Sequence, residues 1–175
     1  MAFAVARTRD EAQLFLDLRP CAECGSAETT WDSGLVAVEG ALVNQYQGMC
    51  EECGAEREFL FGLPGQPTMP SGYPTFGGAE PSQLLDAGEW LWVADVSAGN
   101  VPVDDRAEAR RSLSVAAAAI EEIVKFIPAG DEAVPDSAFW SERGLELRAA
   151  EPGRFELGRL LVVRDTYRDL AVTYG

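Results

Sequence analysis

The chain has 175 residues, and 47% of them are hydrophobic, which supports a folded core and excludes an intrinsically disordered chain. The net charge is −15, and no apolar run approaches the length of a membrane-spanning helix. The chain has no histidine and no phosphate-binding GxxxxGK[ST] or GxGxxG motif, so Ser-His-Asp, Cys-His and P-loop chemistry are excluded.

The negative charge is unevenly distributed along the chain. Residues 20–105 contain 14 acidic residues and one basic residue, Arg57, whereas residues 106–175 contain 12 acidic and 10 basic residues. An acidic surface is a common means of staying soluble, and it also attracts a basic protein partner across an interface. The charge pattern alone leaves both interpretations open.

The first predicted element is a short amphipathic helix over residues 8–19. Thr8 is a suitable N-cap, and Glu11 follows it at the spacing of a capping box. Pro20 ends the helix, because proline cannot continue the hydrogen-bonding pattern.

Four cysteines, the only ones in the chain, follow in two copies of a Cys-x-x-Cys-Gly pattern: Cys21, Cys24, Cys50 and Cys53. Two intervening residues let both sulfurs of a pair turn onto one metal ion, and the glycine permits the turn that aims amide N–H groups at them. Four thiolates form a closed tetrahedral site that suits zinc, so we expect one structural zinc ion and no catalytic or cofactor-binding residues.

Three other fates of the four thiols compete with structural zinc: an iron or iron–sulfur site, two disulfides and a catalytic zinc site. An iron or iron–sulfur site also accepts four thiolates. Two disulfides would need an oxidising compartment, but the apolar stretch at the N-terminus is too short for a secretory signal. We therefore expect a reducing, cytoplasmic location. A catalytic zinc site needs an open position and usually a histidine ligand.

The stretch from about residue 18 to residue 63 resembles the zinc ribbons. The resemblance rests on the two Cys-x-x-Cys-Gly knuckles and on three segments with strand-like composition, residues 29–43, 44–49 and 57–61. It implies knuckles at hairpin tips, joined by a three-stranded sheet. We expect Trp31 to pack against that sheet rather than to stack on a ligand, because a small metal domain has little else to bury. Zinc ribbons serve many functions, so the resemblance does not choose one.

Residues 62–81 are interrupted by glycines and prolines and hold neither a helix nor a central strand, so we expect a linker or a surface loop. This predicts residues 1–63 as helix plus ribbon, 64–81 as connector and 82–175 as a mainly helical region. Ser82 can cap a helical turn, and Trp90 and Trp92 share one face of a strand or lie close together on a buried helix.

The strongest predicted helix covers residues 104–127, capped by Asp104 or Asp105 and ended by Pro128. Its apolar residues recur every three or four positions and form one stripe: Leu113, Ala116, Ala117, Ile120, Ile123, Val124 and Ile127. Consecutive alanines at 116–119 allow a neighbouring element to approach closely.

Two further helices are predicted near the C-terminus. One begins at residues 136–140 and is interrupted by Gly144, and the last covers about residues 154–171. The buried face of the last helix is predicted to comprise Phe155, Leu160, Val163, Tyr167 and Leu170. Its arginines alternate with acidic residues, which favours salt-bridged exposure over nucleic-acid binding: Arg154, Arg159, Arg164 and Arg168.

These elements predict an α+β fold in which a β-rich four-cysteine ribbon packs with a mainly helical C-terminal region as one unit. The predicted function is that of a non-enzymatic, zinc-stabilised acidic protein that binds a basic protein partner, for example an immunity, inhibitor or regulatory protein. Direct nucleic-acid binding and membrane association are not expected. A nucleic-acid-associated zinc ribbon protein and an enzyme with a structural zinc are the alternatives.

Overall fold

The computed structural model describes residues 2–175 and has the α+β architecture that the sequence predicts, with a three-stranded sheet N-terminal and most helices C-terminal. The chain divides into two compact units, Met1–Met69 and Pro70–Gly175. Among residues 2–175, no helix is long and apolar enough to cross a membrane. The boundaries 1–63, 64–81 and 82–175, and the packing of ribbon and helical region as one unit, stay predictions.

The first unit contains one helix and three strands: α1 (Arg9–Asp17), β1 (Thr29–Val38), β2 (Ala41–Cys50) and β3 (Glu56–Gly62). The strands are antiparallel in the order β1-β2-β3. Helix α1 begins as predicted, because the Thr8 hydroxyl accepts a hydrogen bond from the Glu11 amide at 3.1 Å.

The boundary between the first two strands differs from the prediction, which placed it between residues 43 and 44. The chain turns at Glu39 and Gly40, whose φ angles are 49° and 82°. Two consecutive residues with positive φ form the two-residue hairpin turn that matches strand twist. The prediction was wrong because apolar residues lie on both sides of the turn, at 35–38 and 41–43, and the first turn residue is Glu rather than the usual Asn or Asp.

Aromatic rings hold α1 on one face of the sheet. The Phe15 ring lies edge-on to Phe59 and Phe61, with centroid separations of 5.7 and 5.5 Å. Tyr46 adds a further edge contact with Phe61 at 5.7 Å, and Trp31 one with Phe59 at 5.7 Å, in line with the predicted packing of Trp31 on the sheet. Helix α1 therefore packs on this face at β3 through Phe15, whereas Leu35 of β1, on the same face, is 61% exposed.

The residues before α1 pair with the end of β3, a contact that the sequence did not indicate. Val5 forms a parallel bridge with Gly62, and the Gly62 amide donates to the Ala4 carbonyl at 2.9 Å. Behind this bridge, the guanidinium of Arg7 donates to the fully buried carboxylate of Glu11 at 2.6 Å. Through this bridge the start of the chain is hydrogen-bonded to the end of β3.

The second unit contains four α-helices: α2 (Ala87–Gly99), α3 (Arg106–Val124), α4 (Glu142–Ala150) and α5 (Leu157–Thr173). Short 3-10 helices lie at Asp136–Ala138 and Pro152–Phe155. Trp90 and Trp92 lie on α2, so the helical alternative holds for this pair, and Phe76 packs on Trp90 at 4.9 Å.

Helix α3 largely matches its prediction. Asp105 is the N-cap, since its carboxylate accepts from the Glu108 amide at 3.0 Å. Most of the apolar stripe is buried, while Val124 and Ile127, at the predicted C-terminal end, are half-buried. Both α2 and α5 pack against this helix.

Two predictions for the C-terminal helices were wrong. Residues 152–155 form a 3-10 turn, so α5 begins at Leu157, and Leu170 is 44% exposed instead of buried. The buried stripe of α5 ends at Ala171 instead, because an adjacent position on a helix lies about 100° around the axis.

Gly144 lies within α4 and does not interrupt a helix, contrary to the prediction. Its amide donates to the hydroxyl of the N-cap Ser141 at 2.9 Å. A side chain at this position would overlap the carboxylate of Asp86, so the glycine is required for close approach between α4 and the start of α2.

Asp86 connects α2 with the start of α4 although its carboxylate is completely buried. It accepts hydrogen bonds from the amides of Glu89 at 2.8 Å, Trp140 at 2.8 Å and Ser141 at 2.6 Å. One carboxylate therefore satisfies donors at the N-termini of two helices.

We predict that Asp86→Ala destabilises the second unit by about 3 kcal/mol, because it leaves one buried and two partly buried amide donors without an acceptor. The matched control is Asp105→Ala, which removes an exposed N-cap and should cost about 1 kcal/mol. Urea unfolding followed by far-UV circular dichroism measures both. Equal effects of the two substitutions would show that the buried carboxylate has no special role.

Candidate metal centre

The first cysteine pair lies in a tight turn that follows α1. The Cys21 amide donates to the Ser26 carbonyl at 2.7 Å, and the Gly25 amide donates to the Cys21 carbonyl at 2.8 Å. Gly25 has a φ of 78°, which glycine adopts without strain. The backbone thus closes on itself and directs both sulfur atoms to the same side.

The second cysteine pair repeats this geometry in the turn between β2 and β3. The Cys50 amide donates to the Ala55 carbonyl at 2.9 Å, and the Gly54 amide donates to the Cys50 carbonyl at 2.8 Å. Gly54 has a φ of 73°, close to that of its counterpart. The repeated sequence pattern is therefore a repeated backbone structure.

The sheet register brings the two turns together. Thr29 at the start of β1 is paired with Cys50 at the end of β2, and the Glu51 amide donates to the Glu28 carbonyl at 3.0 Å. A hairpin with its turn at residues 39–40 therefore places the second cysteine pair next to the segment that follows the first.

The four predicted ligands converge at one place. The sulfur atoms of Cys21, Cys24, Cys50 and Cys53 all lie within 4.8 Å of one another. The Cys21–Cys53 sulfur separation is 3.7 Å, and the Cys24–Cys50 separation is 3.5 Å. Sulfurs about 2.3 Å from a tetrahedral zinc are separated by about 3.8 Å, so these two separations are close to those of a four-sulfur zinc site.

Backbone amides and neighbouring sulfurs lower the pKa of two of the four thiols, whereas the pKa of the other two is raised. The pKa of Cys50 is lowered to about 6, mainly because the Cys53 amide donates to its sulfur. The Cys24 amide likewise lowers the pKa of Cys21. Although the Ser26 amide favours its thiolate, the pKa of Cys24 is raised to about 12, because its thiol donates toward the Cys50 sulfur. A divalent cation bound by these sulfurs would take the place of such retained protons.

The surface around the two turns is acidic. Residues 20–62 contain eight carboxylates, and all are exposed: Glu23, Glu28, Asp32, Glu39, Glu51, Glu52, Glu56 and Glu58. The one cation in this range, Arg57, is half-buried; its guanidinium donates to the Thr29 hydroxyl at 2.7 Å and to the Arg19 carbonyl. Its guanidinium also lies over the Trp31 ring at 4.9 Å. Arg57 therefore joins parts of the first unit.

Three of these carboxylates lie on one face of the sheet, opposite the face that carries Phe59 and Phe61. The strand register places Asp32, Gln47 and Glu58 in one row across the three strands, with Met49 and Glu56 in the adjacent row. These side chains, together with Arg57, line an open groove of about 550 Å³. We call this surface, defined by Asp32, Glu56 and Glu58, the acidic sheet face.

The sequence did not indicate the acidic sheet face, although it indicated the excess of acidic residues. The missing information was the hairpin turn at Glu39 and Gly40, because only the strand register places Asp32 in one row with Glu58.

Comparison of the chain with protein-family models, with curated proteins and with solved structures gives no match.

We predict that Cys50→Ser abolishes stoichiometric metal binding and unfolds the first unit, because a hydroxyl is a poor replacement for a buried thiolate ligand. Metal content per chain, together with near-UV circular dichroism of Trp31 and its neighbours, measures this loss. The helical signal of α3 should survive to higher temperature, since its apolar stripe is buried within the second unit.

The control for this experiment is Asp86→Ala, which weakens the second unit but leaves all four sulfurs in place. It should retain the metal content of the unmodified chain. A Cys50→Ser protein that keeps its full metal content would contradict a four-sulfur centre.

Proposed function

We propose that the four cysteines bind one zinc ion and that residues 18–63 form a zinc ribbon. The three-stranded sheet, the two equivalent turns and the sulfur separations support this proposal. Zinc is favoured among divalent metals because it accepts four thiolates in a closed tetrahedron and has no redox chemistry of its own.

The proposed role of the zinc is structural. Four cysteine ligands fill the tetrahedron and leave no position for a substrate or an activated water molecule. The ion would close the chain between Cys24 and Cys50 and hold together a small sheet that has only α1 and a few aromatic rings to stabilise it.

We further propose that the protein is not an enzyme and that it binds a basic protein partner. The observation that carries this proposal is the one-sided charge of residues 20–62, with eight exposed carboxylates and a single cation engaged in internal hydrogen bonds. A zinc ion bound by four thiolates would add about two further negative charges. The electric field of these negative charges attracts a cationic surface and repels other acidic proteins.

The acidic sheet face is the contact surface that we propose for this partner. Its groove is open, and its central side chains are acceptors that suit lysine and arginine. An immunity or inhibitor protein that covers the basic cleft of a cationic toxin, such as a nuclease, would use a surface of this kind.

The two alternatives receive less support. Nucleic-acid binding needs clustered, available cations, and Arg57 is occupied within its own unit. Catalysis would need a set of reactive groups other than the four sulfurs, and a chain without histidine lacks the commonest general base.

The test neutralises the acidic sheet face with isosteric substitutions, Asp32→Asn, Glu56→Gln and Glu58→Gln. The matched control neutralises three exposed carboxylates of the second unit with Asp131→Asn, Glu132→Gln and Glu146→Gln, so both proteins lose the same charge. Partners captured from native lysate at low salt are identified by mass spectrometry, and the affinity of the purified partner is then measured against all three proteins.

We predict a basic partner that dissociates at high salt and binds the face variant at least about ten-fold more weakly, because close ion pairs dominate such interfaces. The control triple variant should bind like the unmodified chain. A partner that is not basic, or that binds both triple variants equally, would contradict the proposed contact surface.

A further inference from the structure

The second unit contains a groove that the proposed function does not use. It runs between α3 and α5 and has a volume of about 640 Å³. Its floor is formed by the small side chains of Ala117, Ala118 and Ala171, and Val172, which is 77% exposed, lies at its edge. The alanines of α3 leave the space that larger side chains would fill.

The two ends of this apolar groove differ in charge. At one end, Arg168 is paired with Glu121, so that end carries little net charge. At the other end lies Arg110, which is exposed and has no hydrogen-bond or ion-pair partner for its guanidinium within residues 2–175. The nearby Arg111 guanidinium lies over the ring of Tyr73, another lining residue, at 5.4 Å.

The dimensions of the groove suit a small elongated molecule. Positions 110 and 121 lie on one face of α3 and are separated by about 16 Å along the helix, at 1.5 Å per residue. The volume falls within the range of about 300–1,000 Å³ that is usual for small-molecule sites, which are mostly apolar with a few orienting polar groups.

We propose that this groove binds a small carboxylate with an unbranched apolar body, such as a medium-chain carboxylic acid. Arg110 would receive the carboxylate, because a guanidinium offers two parallel donors that match it. The apolar body would lie over the three floor alanines and against Val172. The lining carries two arginines and one glutamate, so charge complementarity favours an anionic ligand over a neutral or cationic one.

This site lies within residues 70–175 and does not depend on the proposed metal, ribbon or basic partner. Its probe is decanoate, whose extended chain fits the length of the groove. Decanoate is titrated into the ¹⁵N-labelled full chain, and amide shifts report both the position and the affinity of binding.

We expect shifts concentrated at Ala117, Ala118 and Val172. Arg110→Ala should weaken decanoate binding at least about ten-fold, because a hydrogen bond between charged groups is lost. Arg159→Ala is the matched control, since Arg159 is also exposed and without an ion-pair partner among residues 2–175 but does not line the groove, and it should change affinity less than two-fold. Decanol, which lacks the carboxylate, should bind as weakly as decanoate binds to the Arg110 variant.

Val172→Asp provides a second variant that does not depend on the arginine, because it places a negative charge at the edge of the groove and should also abolish decanoate binding. The proposal is overturned if decanoate causes no shifts, if the shifts lie elsewhere, or if Arg110→Ala and Arg159→Ala behave alike. It is likewise overturned if the groove pairs two copies of the chain, seen as a concentration-dependent dimer that Val172→Asp dissociates.

Discussion

The crowding of four cysteine sulfurs is the constraint on which the first unit depends. Sulfur atoms 3.5–3.7 Å apart cannot all remain thiolates without a cation between them, and two glycine-dependent turns hold them in this arrangement. The same contacts that converge the sulfurs, Thr29 with Cys50 and Glu28 with Glu51, also set the register of β1 and β2. The convergence of the four sulfurs and the register of the sheet are therefore coupled within this unit.

The second unit depends on a different kind of constraint. Asp86 is a buried carboxylate that accepts amide hydrogen bonds from the N-termini of two helices, and the absent side chain of Gly144 makes room for it. A buried charge is costly unless donors surround it, so this arrangement specifies one relative placement of α2 and α4. In the first unit the two cysteine turns bring distant segments together, and in the second unit a hydrogen-bonded carboxylate does so.

Sequence patterns predicted the parts of the structure that local chemistry determines. The cysteine spacing identified the centre, Thr8 and Asp105 identified helix starts, and the α3 stripe identified a buried face. The Glu39-Gly40 turn, the burial of Ala171 instead of Leu170 and the role of Gly144 were missed, because each depends on a partner distant in sequence or on an atypical turn residue. The acidic sheet face and the alanine-lined groove likewise exist only once strands and helices are paired.

The central claim is that four sulfurs bind one zinc ion. Zinc K-edge absorption spectroscopy on protein purified without added metal, with elemental analysis of the same sample, tests it most directly. We expect one zinc per chain with four sulfur neighbours at about 2.3 Å and no free thiols. Less than half an equivalent of zinc with four titratable thiols, or iron in its place, would contradict zinc binding by the four cysteines.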